Sequence, residues 1–356
     1  MDLLEYIIFA VIKLAILLFL LLTAVAYIVL MERKVIARMQ NRWGPTRVGP
    51  FGLLQPLADG IKFILKEDII PDNVYKPLYI AAPMIALTLS LISISLIPFG
   101  GQWHIGHFHI PLETTALWTG NGIQDINIGL LIILGITSVG VYGVALSGWS
   151  SNSKYSLLGG LRASAQLISY EVALGLSLIG VLLLAGSLSL RQIVDTQAGS
   201  ILRWNFFGGF QFVAFFIYIM AAYAETNRIP FDLPEAETEL VAGYHTEYSA
   251  MKFAMFFMAE YCNMVTVACL ATLLFFGGWH SPFEGLGIPA PDIWLAISPL
   301  FWFAAKIFFF IFVYIWVRGT LPRFRYDQLM AFGWKFLLPL SIANIVVTSF
   351  VLALRS

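Results

Sequence analysis

The sequence predicts an all-α integral membrane protein of about eight transmembrane helices plus an interfacial amphipathic helix, both termini outside. Three observations lead there. Hydrophobic residues make up 59% of the chain and charged ones only 12%, where a soluble domain carries roughly a quarter charged. Apolar runs long enough to cross a bilayer, roughly 20 residues each, recur from one end to the other. Lys and Arg gather in alternate connections between those runs rather than in all of them.

In order, the runs fall at 6–30, 77–98, 126–148, 163–186, 206–224, 253–277, 296–317 and 335–354, within a single membrane domain over 1–356. The first continues from Tyr6 to Leu30 without a basic leader or a small-residue cleavage site, the pattern of a retained helix rather than a cleaved signal. Connection 31–76 is too long for a turn. In it Gly44-Pro45 through Gly49-Pro50 form a rigid, non-helical connector. Over 53–67, Leu54, Leu57, Ala58, Ile61, Ile64 and Leu65 then recur at helical spacing, with Asp59, Lys62, Lys66 and Glu67 on the other face. That is an amphipathic helix lying in the interface. The third run carries Gly129, Gly135, Gly140, Gly143 and Gly148 with Ser138 and Ser147, small residues that let helices pack closely. No repeat of the inverted-topology kind is evident. Of the 21 Lys and Arg, all but Arg191, Arg203, Arg355, Lys13 and Lys306 lie in connections 31–76, 149–162, 225–252 and 318–335. The positive-inside rule places those connections in the cytoplasm or matrix.

Composition also excludes. Net charge is zero, which gives no footprint for nucleic acid. Cys262 and Cys269, seven apart in one run, build no disulfide framework, cysteine zinc site or iron–sulfur ligation. Neither GxGxxG nor Walker A is present, so no nucleotide is bound by a recognisable motif. His104, His107 and His109 have ligand-like spacing but no acid or Cys completes the set, and they read as surface histidines. Lys13 reads as snorkelling or packing. The cluster Arg33, Lys34, Arg38, Arg42 and Arg47 reads either as a lipid anchor or as a docking face for a cytoplasmic partner.

Connection 225–252 breaks the charge pattern. Its six acids, Glu225, Asp232, Glu235, Glu237, Glu239 and Glu247, face only Arg228 and Lys252, and they alternate with apolar residues that a solvated loop does not need. A helix from 235 onward puts Glu235 and Glu239 four apart, where like charges repel and proton affinity rises. Within the spans, Glu171 and Glu260 sit at similar depth. An intramembrane carboxylate costs about 2.5–3.5 kcal/mol on insertion scales and marks a functional site by default. The plainer alternatives are a solvated acidic loop, and structural acids satisfied by Ser, Tyr or Lys306.

Several of these stretches together resemble a known family. Met31-Glu32-Arg33-Lys34, Gly44-Pro45 to Val48-Gly49-Pro50, Gly52-Leu53-Leu54-Gln55-Pro56 and Ala58-Asp59-Gly60 match one loop signature. Glu225-Thr226-Asn227-Arg228 with Pro230-Phe231-Asp232-Leu233 match a second, joined by Ala259-Glu260-Tyr261 and Pro322-Arg323-Phe324-Arg325-Tyr326-Asp327-Gln328-Leu329. The family is that of the quinone-chamber membrane subunit of respiratory NADH:quinone oxidoreductase (complex I), the H-type subunit in bacteria and NADH dehydrogenase subunit 1 in mitochondria. The likeness covers nearly the whole chain; 99–125 and 278–292 match least.

The resemblance implies a subunit of a proton-pumping enzyme that is not catalytic alone. Quinone is its substrate, and the chain itself holds no flavin, iron–sulfur cluster or metal. It implies a channel through Glu171, Glu225 and Glu260, an acidic loop of Asp232, Glu235, Glu237, Glu239 and Glu247, and a chamber lined or braced by Arg33, Arg42, Arg228 and Phe231. The partners implied are the quinone-site hydrophilic subunits, small and antiporter-like membrane subunits, quinone and lipid. The location implied is the bacterial inner membrane, or the mitochondrial inner membrane if organellar. Rival readings are an anchor subunit of a membrane-bound hydrogenase-type complex, a secondary ion transporter using Glu171 and Glu260, and a passive structural plug.

Overall fold

The computed structural model describes residues 3–99, 102–105, 108–111, 126–209, 211–232, 242–284 and 292–355. Among them, seven helices are long and apolar enough to cross a membrane, and a shorter apolar one accompanies them. In chain order the helices are α1 (Leu3–Met39), α2 (Gln55–Leu65), α3 (Lys76–Ser95), α4 (Gly129–Ser150), α5 (Lys154–Ala185), α6 (Leu190–Thr196) and α7 (Phe212–Glu225). There follow α8 (Ala250–Phe275), α9 (Asp292–Thr320), α10 (Tyr326–Phe332) and α11 (Leu338–Arg355), the last two joined by a π turn over Gly333–Leu337. A small antiparallel hairpin, Gln102–Ile105 with Phe108–Pro111, pairs the backbones of His104 and His109 and is an addition to the all-helical expectation. His107 lies outside the described residues.

α8 is the axis of the bundle. Most of its length is buried, with Tyr261, Cys262, Cys269 and Phe275 all at or near zero exposure. α3, α9, α1 and α7 pack around it. α4 and α5 close against one another where Gly148 meets Gly160; a Cβ on Gly148 would lie 2.6 Å from the Ser156 carbonyl. Gly143 is also close against Ala86, at 3.0 Å, but Gly135 and Gly140 meet nothing, and Gly140 lines a cavity described below. The close-packing explanation of the glycines therefore holds for part of that helix only.

Two helices depart from their expected bounds in ways that build the site. α1 does not stop at residue 30 but runs on to Met39, carrying Glu32 on the face that already buries Leu21 and Val25. The run at 206–224 becomes a helix only from Phe212. Residues 204–209 form turns, because Gly208 folds so closely against the Leu202 carbonyl that a Cβ there would overlap it. The 14 residues of α7 span about 21 Å at 1.5 Å per residue, short of a hydrocarbon core of roughly 30 Å. α7 consequently ends inside the protein.

The end is a Schellman motif. Asn227 takes the left-handed conformation at φ 49°, which Asn tolerates better than most residues. The Asn227 and Arg228 amides donate to the Ala224 and Tyr223 carbonyls. Buried Gln166 on α5 satisfies what remains, donating at 2.8 Å to the carbonyls of Ala224 and Phe231. Irregular backbone at membrane depth is tolerated only where protein or a wet cavity surrounds it, and Thr226, Asn227, Arg228, Phe231 and Asp232 are all buried. The apolar interleaving of this stretch is thus explained, and its start is interior rather than a solvated loop.

The C-terminal end of α8 is fixed from three sides. Lys306 on α9 donates to the carbonyls of Phe276, Gly278 and His280 at 2.7, 2.9 and 2.7 Å, with its ammonium 4.3 Å from the Trp204 ring centroid. Gln197 donates to Leu273, Asn205 to Leu274, and the Phe206 amide to Phe275. A cation at a helix C-terminus also meets the negative end of its dipole. Lys306 therefore partners backbone, not the intramembrane carboxylates.

Candidate functional site

Glu32 is the centre of a buried ion cluster. It is 6% exposed, accepts from Tyr261 Oη at 2.6 Å and from Arg318, and lies 3.9 Å from Arg228. On its other side Arg228 stands 3.9 Å from Glu260, with its guanidinium 4.1 Å from the Tyr261 ring centroid. Tyr244 donates to Glu260 at 3.2 Å. Two carboxylates and two guanidiniums from α1, α8, α9 and the segment after α7 thereby balance in charge. Planar, forked and weakly hydrated, arginine suits such a position better than lysine.

Two cavities meet at this cluster. One, of about 290 Å³, lies between α1, α2 and α8 and is lined mainly by Leu22, Val25, Val29, Phe63, Ala254 and Phe257. Part of its lining is polar: Arg33 donates to Asp59 at 2.6 Å, and Gln55 donates to the other Asp59 oxygen at 3.0 Å. The second, of about 380 Å³, is lined by Glu32, Arg33, Arg42, Tyr261 and Arg318. Val29, Arg33, Phe257 and Tyr261 belong to both. An apolar slot opening on a charged chamber suits an amphiphile with a long tail and a small polar head. The connector before α2 is shaped by Gly52 (φ 75°), where a Cβ would overlap the Pro45 carbonyl.

A third cavity, about 50 Å³, brings together Glu171 from α5, Glu225 at the end of α7 and Glu260 from α8. Ser138 on α4 donates to Glu171. Whereas Glu260 is ion-paired, neither Glu171 nor Glu225 has a cationic partner among the described residues. Three carboxylates, hydroxyls and room for water are the parts a proton relay needs.

The other expected site residues lie apart. Asp232 is buried and paired with Arg323 at 3.2 Å. Glu247 contributes its carbonyl to Tyr79 Oη at 2.6 Å. Phe231 packs on Phe324 and Tyr170, with centroids 5.5 and 5.8 Å away. Glu235, Glu237 and Glu239 fall outside the described residues. Glu32, Tyr244, Tyr261, Arg318 and Asn263 complete the site without having been singled out as site residues. For Glu32 the signal was available: Leu21, Val25, Ile28 and Glu32 keep one helical face.

His245, next to Tyr244, is buried against it at 3.7 Å between ring centroids, and burial pushes its pKa down to about 3. A neutral buried histidine is protonated more readily in the unfolded chain, so stability falls as pH drops below about 6.5. Between pH 7.5 and 5 the loss is about 2 kcal/mol at roughly 1.4 kcal/mol per pH unit. Thermal melts of the purified protein in detergent are expected to show a steeper acid loss for wild type than for His245→Phe. Parallel pH curves would refute the assignment.

Comparison with known proteins gives one coherent result. The family model described as NADH dehydrogenase matches residues 12–349. The chain is 70% identical over 351 residues to the second H-type NADH-quinone oxidoreductase subunit of Koribacter versatilis, covering 98% of each. It is 51% identical to the first such subunit of Solibacter usitatus, covering 99% of each, and 51% identical to the second of Geobacter metallireducens, covering 98% of this chain and 97% of that one.

Proposed function

Because the chain belongs to the NADH dehydrogenase family along nearly its full length, and is thereby a membrane subunit of NADH-quinone oxidoreductase (complex I) that assembles with the other subunits of that enzyme, we propose that it forms the access route and chamber for a hydrophobic quinone and the first stretch of the proton-coupling path. What supports this most is the contiguity of the apolar cavity with the charged one across Val29, Arg33, Phe257 and Tyr261. The isoprenoid tail lies in the slot between α1, α2 and α8, and the head group advances past Arg33 toward Arg42 and Arg318. Electrons reach the quinone from neighbouring hydrophilic subunits docked on the inner face, in the bacterial inner membrane. Antiporter-like and small membrane subunits continue the proton path.

Coupling follows from charge. Reduction of the head group alters the field at Glu32. Arg228, between Glu32 and Glu260, passes the change to the cavity shared by Glu260, Glu225 and Glu171. Acid loop residues 235–239 then exchange protons with that cavity.

The access route is testable by filling it. Ala26 lines the apolar slot. In the assembled enzyme, Ala26→Phe is expected to raise the KM for a long-tailed quinone by about tenfold, roughly 1.4 kcal/mol of lost tail binding. A short-tailed analogue is expected to be little affected, with NADH:ferricyanide activity unchanged. Equal effects on both quinones would exclude the slot as the tail's route.

A further inference from the structure

Beside Glu225 and adjoining the acidic cavity lies a smaller cavity of about 10 Å³. That is room for the centre of a single water, which needs two to four polar partners to reside there. Thr137, Glu225 and Asn263 line both cavities, so these three residues form the neck between them.

The hydrogen-bond inventory of the small cavity is one-sided. Thr137 gives its hydroxyl proton to the Leu134 carbonyl at 2.9 Å, Thr266 to Cys262 at 3.1 Å, and Tyr218 to Val267 at 2.9 Å. Each hydroxyl is left as an acceptor only, and Glu225 joins them as an acceptor in its ionised form. The remaining lining is aliphatic. Asn263, one turn beyond Glu260 on α8, has no hydrogen-bond partner among the described residues, and its amide carries two donor hydrogens. A water in this cavity gives its two hydrogens to Glu225 and Thr137, and has a lone pair to fill. Among the described lining residues, Asn263 is the donor that can fill it while Glu225 is ionised.

We propose that Asn263 is a positioning residue that binds one water in the neck and holds it as a hydrogen-bond donor to the Glu225 carboxylate. The inference rests on the coupling role given to Glu225 above. It adds that Glu225 is solvated by a fixed water rather than by protein alone. The amide itself takes no proton; it fixes the orientation of the water that contacts the acid.

The test uses the assembled enzyme in membrane vesicles, with NADH:ferricyanide activity as the measure of assembly. Asn263→Leu keeps the volume and removes the donor; Asn263→Ser keeps a donor. Asn263→Leu is expected to lower NADH:quinone turnover about tenfold, the loss of one hydrogen bond near a charged group. The quinone KM stays unchanged, and Asn263→Ser recovers most of the rate. The carboxylate infrared band that vanishes in Glu225→Gln is expected to shift in Asn263→Leu and to return in Asn263→Ser. If Glu225→Gln abolishes pumping while Asn263→Leu keeps both full turnover and an unshifted band, the water site is overturned and the coupling role stands. If Glu225→Gln itself leaves pumping and turnover intact, the coupling role fails and the inference with it. Should Asn263→Leu not assemble, Thr137→Val, close in shape and lacking the acceptor, decides by the same band: a shift supports the site and no shift refutes it.

Discussion

Replacing Arg228 with Leu is expected to cost the protein about 3–5 kcal/mol, because removing one member of a buried ion pair strands its partners without compensation. Arg318 remains for Glu32, whereas Glu260 loses the guanidinium that faces it and retains the Tyr244 hydroxyl. The expected result is little assembled subunit in the membrane and little NADH:quinone turnover. Arg228→Lys is expected to rescue only part, since a lysine neither forks between two carboxylates nor stacks as well on Tyr261. Combining Arg228→Leu with Glu260→Gln removes the stranded charge and is expected to recover stability relative to Arg228→Leu alone, a coupling that a double-mutant cycle measures directly. Normal levels of enzyme from Arg228→Leu would mean that the cluster does not hold these elements together.

The second large effect is on coupling. The double variant Glu171→Gln, Glu225→Gln keeps size and hydrogen bonding, removes both uncompensated carboxylates from the acidic cavity, and leaves the ion cluster intact. NADH-driven proton uptake and quinone turnover are expected to fall together by about a hundredfold, the lower range for losing a positioned proton-transfer group. NADH:ferricyanide activity, which bypasses the membrane, is expected to persist. Full pumping in this variant would leave the acidic cavity without a part in proton movement. A collapse in ferricyanide activity would point to failed assembly, and the single variants then separate the two roles.

Much of this site is readable from the order of residues alone. Glu171, Glu225 and Glu260 violate the apolar pattern or the charge bias, and a carboxylate in hydrocarbon announces itself by its cost. The amphipathic helix is equally plain, because Leu57, Ile61 and Ile64 repeat at its period. What stays hidden depends on contacts between distant segments. Gln166 reads as one more polar residue in a span until it meets the end of α7, 58 residues further on. Lys306 looks like a partner for a carboxylate, yet three carbonyls of a turn take it first. The shortness of α7 is concealed because the turns at 204–209 are largely apolar, and hydropathy does not distinguish them from helix. Glu32 escapes notice because the apolar run ends before it while the helix does not.

The fastening at the C-terminal end of α8 has a mechanical side. Leu273, Leu274, Phe275 and Phe276 are all tied to neighbouring elements. The other end is held as well: Lys252 pairs with Asp68 at 2.8 Å, the Ile69 amide donates to Ser249 Oγ at 3.0 Å, and Tyr79 donates to the Glu247 carbonyl at 2.6 Å. A rod clamped at both ends keeps its middle in register with its neighbours. Glu260 lies 15 residues from Phe275 and 10 from Ala250, roughly 22 and 15 Å at 1.5 Å per residue, so the two clamps together hold its carboxylate opposite Arg228.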